Sequence, residues 1–126
     1  MKALLIISHG SRRQESNDEV RILAETIYEK TKLSAKTEID KVSCAFLELT
    51  TPLINTAVSD LSNEGVKEIF IFPFFLGAGN HVAKDIPKLV ASEKDKYPDI
   101  SFKIITHLGA VKGISDLILD EVERNQ

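Results

Sequence analysis

Four apolar runs alternate with four segments of helical periodicity along this chain. Continuous apolar runs are typical of parallel strands covered on both faces, and the segments between them repeat apolar residues at helical spacing. The alternation predicts four βα units, and therefore an α/β fold with a four-stranded, mainly parallel sheet and helices on both faces. By analogy with other doubly wound sheets, we expect the strand order 2-1-3-4. No linker interrupts the pattern, so residues 1–126 are expected to form one domain.

The first and last predicted helices carry specific local expectations. Ser16 or Asn17 is placed to cap the start of the first helix. In the last helix, four apolar residues recur at helical spacing and are expected to face the core: Ile114, Leu117, Ile118 and Val122.

Composition and charge narrow the range of functions. The net charge is −3 and the basic residues form no stripe, so a nucleic-acid partner is not expected. The N-terminal apolar run is too short to span a membrane, and no membrane association is expected. Cys44 is the only cysteine, which excludes an internal disulfide and a thiolate-rich zinc site and fits a reducing cytoplasm.

The three histidines of the chain all follow predicted strands. His9 follows the first strand, His81 the third and His107 the fourth. Because the carboxyl ends of parallel strands meet at one edge of the sheet, we expect the histidines to gather in one site. Imidazoles bind borderline divalent metals and can also accept protons near neutral pH. The sequence therefore predicts a histidine site for metal or proton chemistry.

Other polar residues follow the same strands. Glu48 lies between two leucines, and we expect a buried carboxylate there that is met by a cation or by hydrogen bonds. A second group follows the first and third strands and is suited to binding an anionic substrate: Ser11, Arg12, Arg13, Asn80 and Lys84. Each of these residues also has an ordinary explanation, as a helix cap, a loop residue or surface charge. For His107 the structural explanation is the stronger one.

Four segments together resemble the small sirohydrochlorin cobaltochelatases, relatives of the nickel- and ferrochelatases that act on sirohydrochlorin. The segments are SHGSR, FLELTTP, FPFFLGAGNHVAKDIP and the LG after the fourth strand. The resemblance covers most of the chain, and the third segment is the most specific. It implies a chelatase-like three-layer sandwich and a class II reaction that inserts cobalt, nickel or iron into sirohydrochlorin without ATP. The absence of a P-loop motif agrees with that expectation.

The resemblance also assigns roles to residues. It implies that His9 and His81 hold the incoming divalent metal and accept the pyrrole protons, and that Glu48 assists them. The metal is then a substrate, and no tightly bound cofactor is expected. The resemblance further implies a homodimer in which two copies form the cleft for a sirohydrochlorin-type tetrapyrrole. It does not identify the physiological metal or the biosynthetic branch.

Two other functions remain open at the level of sequence. The SHG segment resembles the Arg-His-Gly motif of histidine phosphohydrolases, but Ser8 stands at the arginine position. A non-catalytic protein that binds or delivers metal or tetrapyrrole would use the same residues. Turnover of the substrate would separate that function from a chelatase.

Overall fold

A computed structural model describes residues 1–126 and contains four strands and four α-helices in strict alternation. The strands are β1 (Lys2–Ser8), β2 (Lys41–Phe46), β3 (Glu68–Pro73) and β4 (Ser101–Ile104). The α-helices are α1 (Gln14–Leu33), α2 (Ile54–Asn63), α3 (Ile86–Lys96) and α4 (Ile114–Arg124). A π-helix, His81–Asp85, leads directly into α3, and a 3-10 helix, Leu108–Ala110, precedes α4.

The four strands form one sheet in the order β2-β1-β3-β4, and every neighbouring pair is parallel. The expected strand order is therefore confirmed, and the sheet is parallel throughout. In such a sheet the switch point lies between the two central strands β1 and β3, and the loops after β1, β2 and β3 emerge side by side. These are the loops that carry the predicted site residues.

The two faces of the sheet are covered unequally. One face is packed by α2 and α3 into a core of 14 buried residues, including Leu5, Ile71 and Val58. The other face has a smaller cluster of four buried residues, in which Val20 and Ala24 of α1 pack on Ile6 and Phe46. Helix α1 thus covers the β1–β2 half of this second face.

Two local expectations about the helices were wrong. Helix α1 begins at Gln14, with Arg13 at its N-cap, so Asn17 lies inside the helix and its side chain points into the loop after β1. The apolar stripe of α4 does not face the core, since Leu117, Ile118 and Val122 are more than half exposed. Helix periodicity defined that stripe correctly, but it carries no information about what the stripe packs against.

Candidate active site

The loop after β1 and the loop after β2 are joined by main-chain hydrogen bonds. The Leu47 amide donates to the Ser8 carbonyl at 3.0 Å, and the Glu48 amide donates to the His9 carbonyl at 3.1 Å. Gly10 has a φ of 95°, and a β-carbon there would overlap the Glu48 carbonyl oxygen. Glycine therefore lets the two loops approach closely and sets His9 beside Glu48.

The His9 and Glu48 side chains meet across this junction. The Nε2 atom of His9 lies 3.2 Å from Oε1 of Glu48. The side chain of Glu48 is 61% exposed, so the expectation of a buried carboxylate was wrong: the residue follows the end of β2 and turns away from the core. Its neighbour Leu49 has a φ of 69°, a strained conformation of the kind that collects at functional sites.

His81 is positioned by the π-helix after β3. One turn of π-helix, a form that recurs at functional sites, sets His81 and Asp85 on the same side. The Nδ1 atom of His81 lies 2.8 Å from Oδ2 of Asp85. An imidazole held in this way has a fixed ring orientation.

The rings of His9 and His81 contact each other. Their centroids are 4.6 Å apart, and the rings are nearly perpendicular, at 83°. Each ring has one nitrogen within hydrogen-bond distance of a carboxylate oxygen. When that nitrogen carries the proton and donates it to the carboxylate, the second nitrogen of the neutral ring is unprotonated. The second nitrogens are Nδ1 of His9 and Nε2 of His81. With metal–nitrogen bonds of about 2.1 Å, two imidazoles on one cation have centroids roughly 5 Å apart. The observed ring separation matches that requirement.

A groove of about 420 Å³ begins at His81 and Glu48 and runs along α3. Leu47 and Leu89 supply its apolar surface, Lys88 and Ser92 are polar, and His81 with Glu48 forms one end. Leu89 is 41% exposed and lines the groove. The arrangement offers an apolar wall and a basic group beside the His81 ring.

The other predicted substrate-binding residues lie in the two chain segments that carry His9 and His81. Arg12, Arg13, Asn80 and Lys84 are exposed, and Arg13 is 3.6 Å from Glu15. Ser11 is engaged inside its own loop, where its hydroxyl oxygen accepts a hydrogen bond from the Arg13 amide. Arg12 and Lys84 form no ion pair and are free to contact an anionic ligand, whereas Arg13 pairs with Glu15 and Ser11 maintains the loop.

Two residues of this site were not predicted from the sequence. Asp85 orients His81, and the i,i+4 spacing of the two residues is the signal that could have identified it. Asn17 is 1% exposed and bonds both main-chain groups of Ser11: its Oδ1 accepts from the amide at 2.9 Å and its Nδ2 donates to the carbonyl at 2.8 Å. This amide holds the loop that carries His9.

His107 does not join the histidine pair. It lies half-buried before the 3-10 helix and has no side-chain hydrogen bond and no ring contact with the other histidines. No group of three or more histidine, cysteine or acidic side chains is arranged to hold a metal ion. The site is therefore a two-imidazole arrangement that leaves most positions around a cation open.

No helix in this structure has both the length and the apolar character needed to cross a membrane.

The fold and the histidine pair define the class of protein: a chelatase-like α/β fold with imidazoles at the carboxyl edge of a parallel sheet. The CbiX family model matches residues 3–125, and the chain belongs to this family. Among solved structures, the SirB chelatase of Bacillus subtilis in complex with cobalt superposes with a TM-score of 0.78 at 26% identity, covering 98% of this chain and 50% of that one. A CbiX protein of Marinobacter aquaeolei has the same fold, with a TM-score of 0.76 at 24% identity over 98% of this chain and 99% of that one.

Curated relatives carry chelatase names. The chain is 33% identical over 120 residues to the chloroplastic sirohydrochlorin ferrochelatase of Arabidopsis thaliana, which covers 95% of this chain and 51% of that protein. It is 33% identical over 90 residues to the sirohydrochlorin cobaltochelatase of Methanococcus maripaludis, covering 71% of this chain and 58% of that protein. The chain thus spans between half and three fifths of the length of these relatives. The cobaltochelatase of Methanopyrus kandleri is matched over 96% of its length, at 28% identity.

Proposed function

We propose that this chain is an ATP-independent chelatase that inserts a divalent metal, cobalt or alternatively nickel or iron, into sirohydrochlorin. The observation that carries the proposal is the contact of His9 with His81, each held by a carboxylate, in a chain of the CbiX family. The sirohydrochlorin chelatase names of the relatives support the substrate. Residues 1–126 would act as one chelatase-like domain. A reducing cytoplasm would suit the lone thiol of Cys44.

The two-imidazole site suits a metal that is bound only transiently. A resident structural metal has a closed set of protein ligands, whereas two imidazoles leave positions for water and then for the pyrrole nitrogens of the substrate. His9 and His81 would bind the hydrated cation and present it to the centre of the macrocycle. The metal is thereby transferred from two protein nitrogens to the nitrogens of the ring.

The proton balance follows from the same two residues. Insertion of one dication displaces two pyrrole N–H protons, and each imidazole that releases the metal regains a free lone pair that can accept one of them. Glu48 and Asp85 would offset the positive charge of the resulting imidazolium ions, since each carboxylate lies within hydrogen-bond distance of one ring. Transfer of the metal to the macrocycle and uptake of protons by the histidines then occur together. The oxidation state of the metal does not change.

The carboxylate rim of sirohydrochlorin needs basic groups around this centre. Arg12, Arg13 and Lys84 are exposed in the segments that carry the histidine pair, and Lys88 lines the groove. Asn80 precedes His81 and offers an amide to the same ligand. The planar guanidinium group of arginine and the ammonium group of lysine both bind carboxylates well.

We further propose that two copies form a homodimer that completes the cleft. Most of the groove-lining residues are exposed, so a single copy offers a flat macrocycle only one side of a site. The chain covers 51% of the Arabidopsis ferrochelatase and 50% of SirB, as expected for one of two lobes.

The chelatase proposal is tested by following the absorption spectrum of sirohydrochlorin with Co²⁺, Ni²⁺ and Fe²⁺. The rates of His9→Ala and His81→Ala should each fall by about 100-fold or more, as expected for loss of a group that handles both metal and protons. His107→Ala is the matched control and should retain the wild-type rate. Full activity in both site variants would refute the assigned roles, and stoichiometric binding without turnover would indicate a delivery protein.

A further inference from the structure

Arg21, on α1, binds the loop after β2 that carries Glu48. Its Nη2 atom donates to the Thr51 carbonyl at 2.8 Å and to the Thr50 hydroxyl oxygen at 3.1 Å. Its Nη1 atom donates to Oδ1 of Asp18, three residues earlier on the same helix, at 2.9 Å. The fork of the guanidinium group thus ties α1 to two consecutive residues of the loop.

The same guanidinium group packs on the end of β2. Its central carbon lies 5.1 Å from the centroid of the Phe46 ring, within the range of a cation–π contact. Phe46 is the last residue of β2, is 1% exposed and packs with Val20 and Ala24 of α1. Arg21 is therefore held against a buried ring at the point where the loop leaves the strand.

The loop is strained between Glu48 and the residues that Arg21 binds. Leu49 has a φ of 69°, a left-handed conformation that a non-glycine residue keeps only where its surroundings hold it. On one side of Leu49, the Glu48 amide is bonded to the His9 carbonyl. On the other side, Arg21 binds the next two residues of the chain. The Glu48 side chain thus leaves the main chain beside a strained residue that is held from both sides.

We propose that Arg21 is a positioning residue for the histidine pair: it holds the loop after β2 so that the Glu48 carboxylate stays 3.2 Å from Nε2 of His9. Arg21 forms no hydrogen bond with either histidine and acts through Glu48. Loss of its guanidinium group releases Leu49 from its strained conformation, and the carboxylate then moves away from the His9 ring. The proposal rests on the function proposed above for this pair.

A double-mutant cycle between Arg21→Ala and Glu48→Ala tests this route. Removal of the partner of a metal-binding histidine typically lowers metal affinity roughly 10- to 100-fold. Titration with Co²⁺ in the absence of tetrapyrrole should therefore show a loss of about 10-fold in each single variant. The double variant should bind no more weakly than Glu48→Ala alone, because Arg21 then has no carboxylate to position.

Lys32→Ala is the matched control on the same helix. Lys32 also pairs with an acidic residue three positions away, Glu29, and its ammonium nitrogen lies 4.4 Å from the centroid of the Tyr28 ring. Both partners lie within α1, so the variant loses the same kinds of contact without a link to the site. It should bind Co²⁺ as wild type does.

Two results of the cycle would overturn the proposal. The first is wild-type affinity in Arg21→Ala. The second is a double variant whose loss is the product of the two single losses, since Arg21 would then act independently of Glu48. Circular dichroism verifies that each variant is folded. If Arg21→Ala does not fold, Arg21→Lys takes its place: it keeps the charge but not the fork, so it should lose about threefold or more, and wild-type affinity would again overturn the proposal.

Nuclear magnetic resonance of the His9 imidazole needs neither metal nor tetrapyrrole. The ring-nitrogen resonances of His9, identified by their absence from His9→Ala, should shift in Arg21→Ala in the same direction as in Glu48→Ala. They should be unchanged in Lys32→Ala. Unchanged His9 resonances in Arg21→Ala would overturn the proposal. If the resonances shift as expected but wild type does not metallate sirohydrochlorin, the chelatase function has failed and the role of Arg21 is retained.

Discussion

Gly10 lies so close to Glu48 that a β-carbon at position 10 would overlap the Glu48 carbonyl oxygen. The contact joins the loops after β1 and β2, and it is the reason that His9 and the Glu48 carboxylate are neighbours. The lack of a side chain at Gly10 is therefore part of what sets the geometry of the site.

Gly10→Ala should damage both stability and the site. The left-handed φ of 95° and the overlap with main chain together should cost about 2 kcal/mol or more in the free energy of unfolding. Gly65→Ala is the matched control, because Gly65 has nearly the same φ, 93°, but open space around it; it should cost about 1 kcal/mol. Urea unfolding measures both values, and chelation should fall only in Gly10→Ala. Equal effects of the two substitutions would show that the loop contact has no special role.

Asp85→Ala should weaken metal binding without unfolding the protein. Loss of the 2.8 Å hydrogen bond frees the His81 ring to rotate, and removal of such an orienting partner typically lowers metal affinity roughly 10- to 100-fold. Asp95→Ala, an exposed aspartate on α3, is the control, and Asp85→Asn should recover part of the affinity because its amide oxygen can still accept the hydrogen bond. Titration of the protein with Co²⁺ gives the affinities; wild-type binding by Asp85→Ala would contradict the assigned role.

Asn17→Ala should lower stability and displace His9. The substitution leaves the amide and carbonyl of Ser11 without partners in a partly buried loop, at a cost of about 2 kcal/mol. Asn55→Ala, at an exposed position of α2, should change stability by less than about 0.5 kcal/mol. Thermal unfolding measures both. An Asn17→Ala protein with wild-type stability and metal affinity would mean that the loop needs no such support.

Cys44 should react slowly in the folded protein. Burial raises the pKa of the Cys44 thiol, and Glu25 adds to that effect while Arg21 opposes it. Because a raised pKa means less thiolate at a given pH, labelling by a thiol reagent at pH 8 should be slower in the native state than in urea, and the native rate should continue to rise at higher pH than the rate of a free cysteine. Equal native and denatured rates would show that burial does not protect the thiol.

Much of this architecture could be predicted from the order of residues. Apolar runs alternating with amphipathic segments identified all four βα units, because the covered strands of a parallel sheet and the stripe of a surface helix have different periods. The position of His9 and His81 after two adjacent strands predicted that they would meet, since parallel strands deliver their loops to one edge. The same rule failed for His107. Strand β4 is the outer strand of the sheet, and the 3-10 helix that follows it is bound to the loop after β3 by the hydrogen bond from the Gly109 amide to the Phe75 carbonyl.

What the sequence by itself determined was the layered fold and the edge at which the histidines converge, because both follow from local periodicity and from the direction of parallel strands. Only the tertiary structure decided which ring nitrogens are free, that Asp85 and Asn17 support the two histidines, and that the apolar stripe of α4 is exposed. Those features depend on distances between loops that are far apart along the chain, and a pattern of apolar and polar positions does not record such distances.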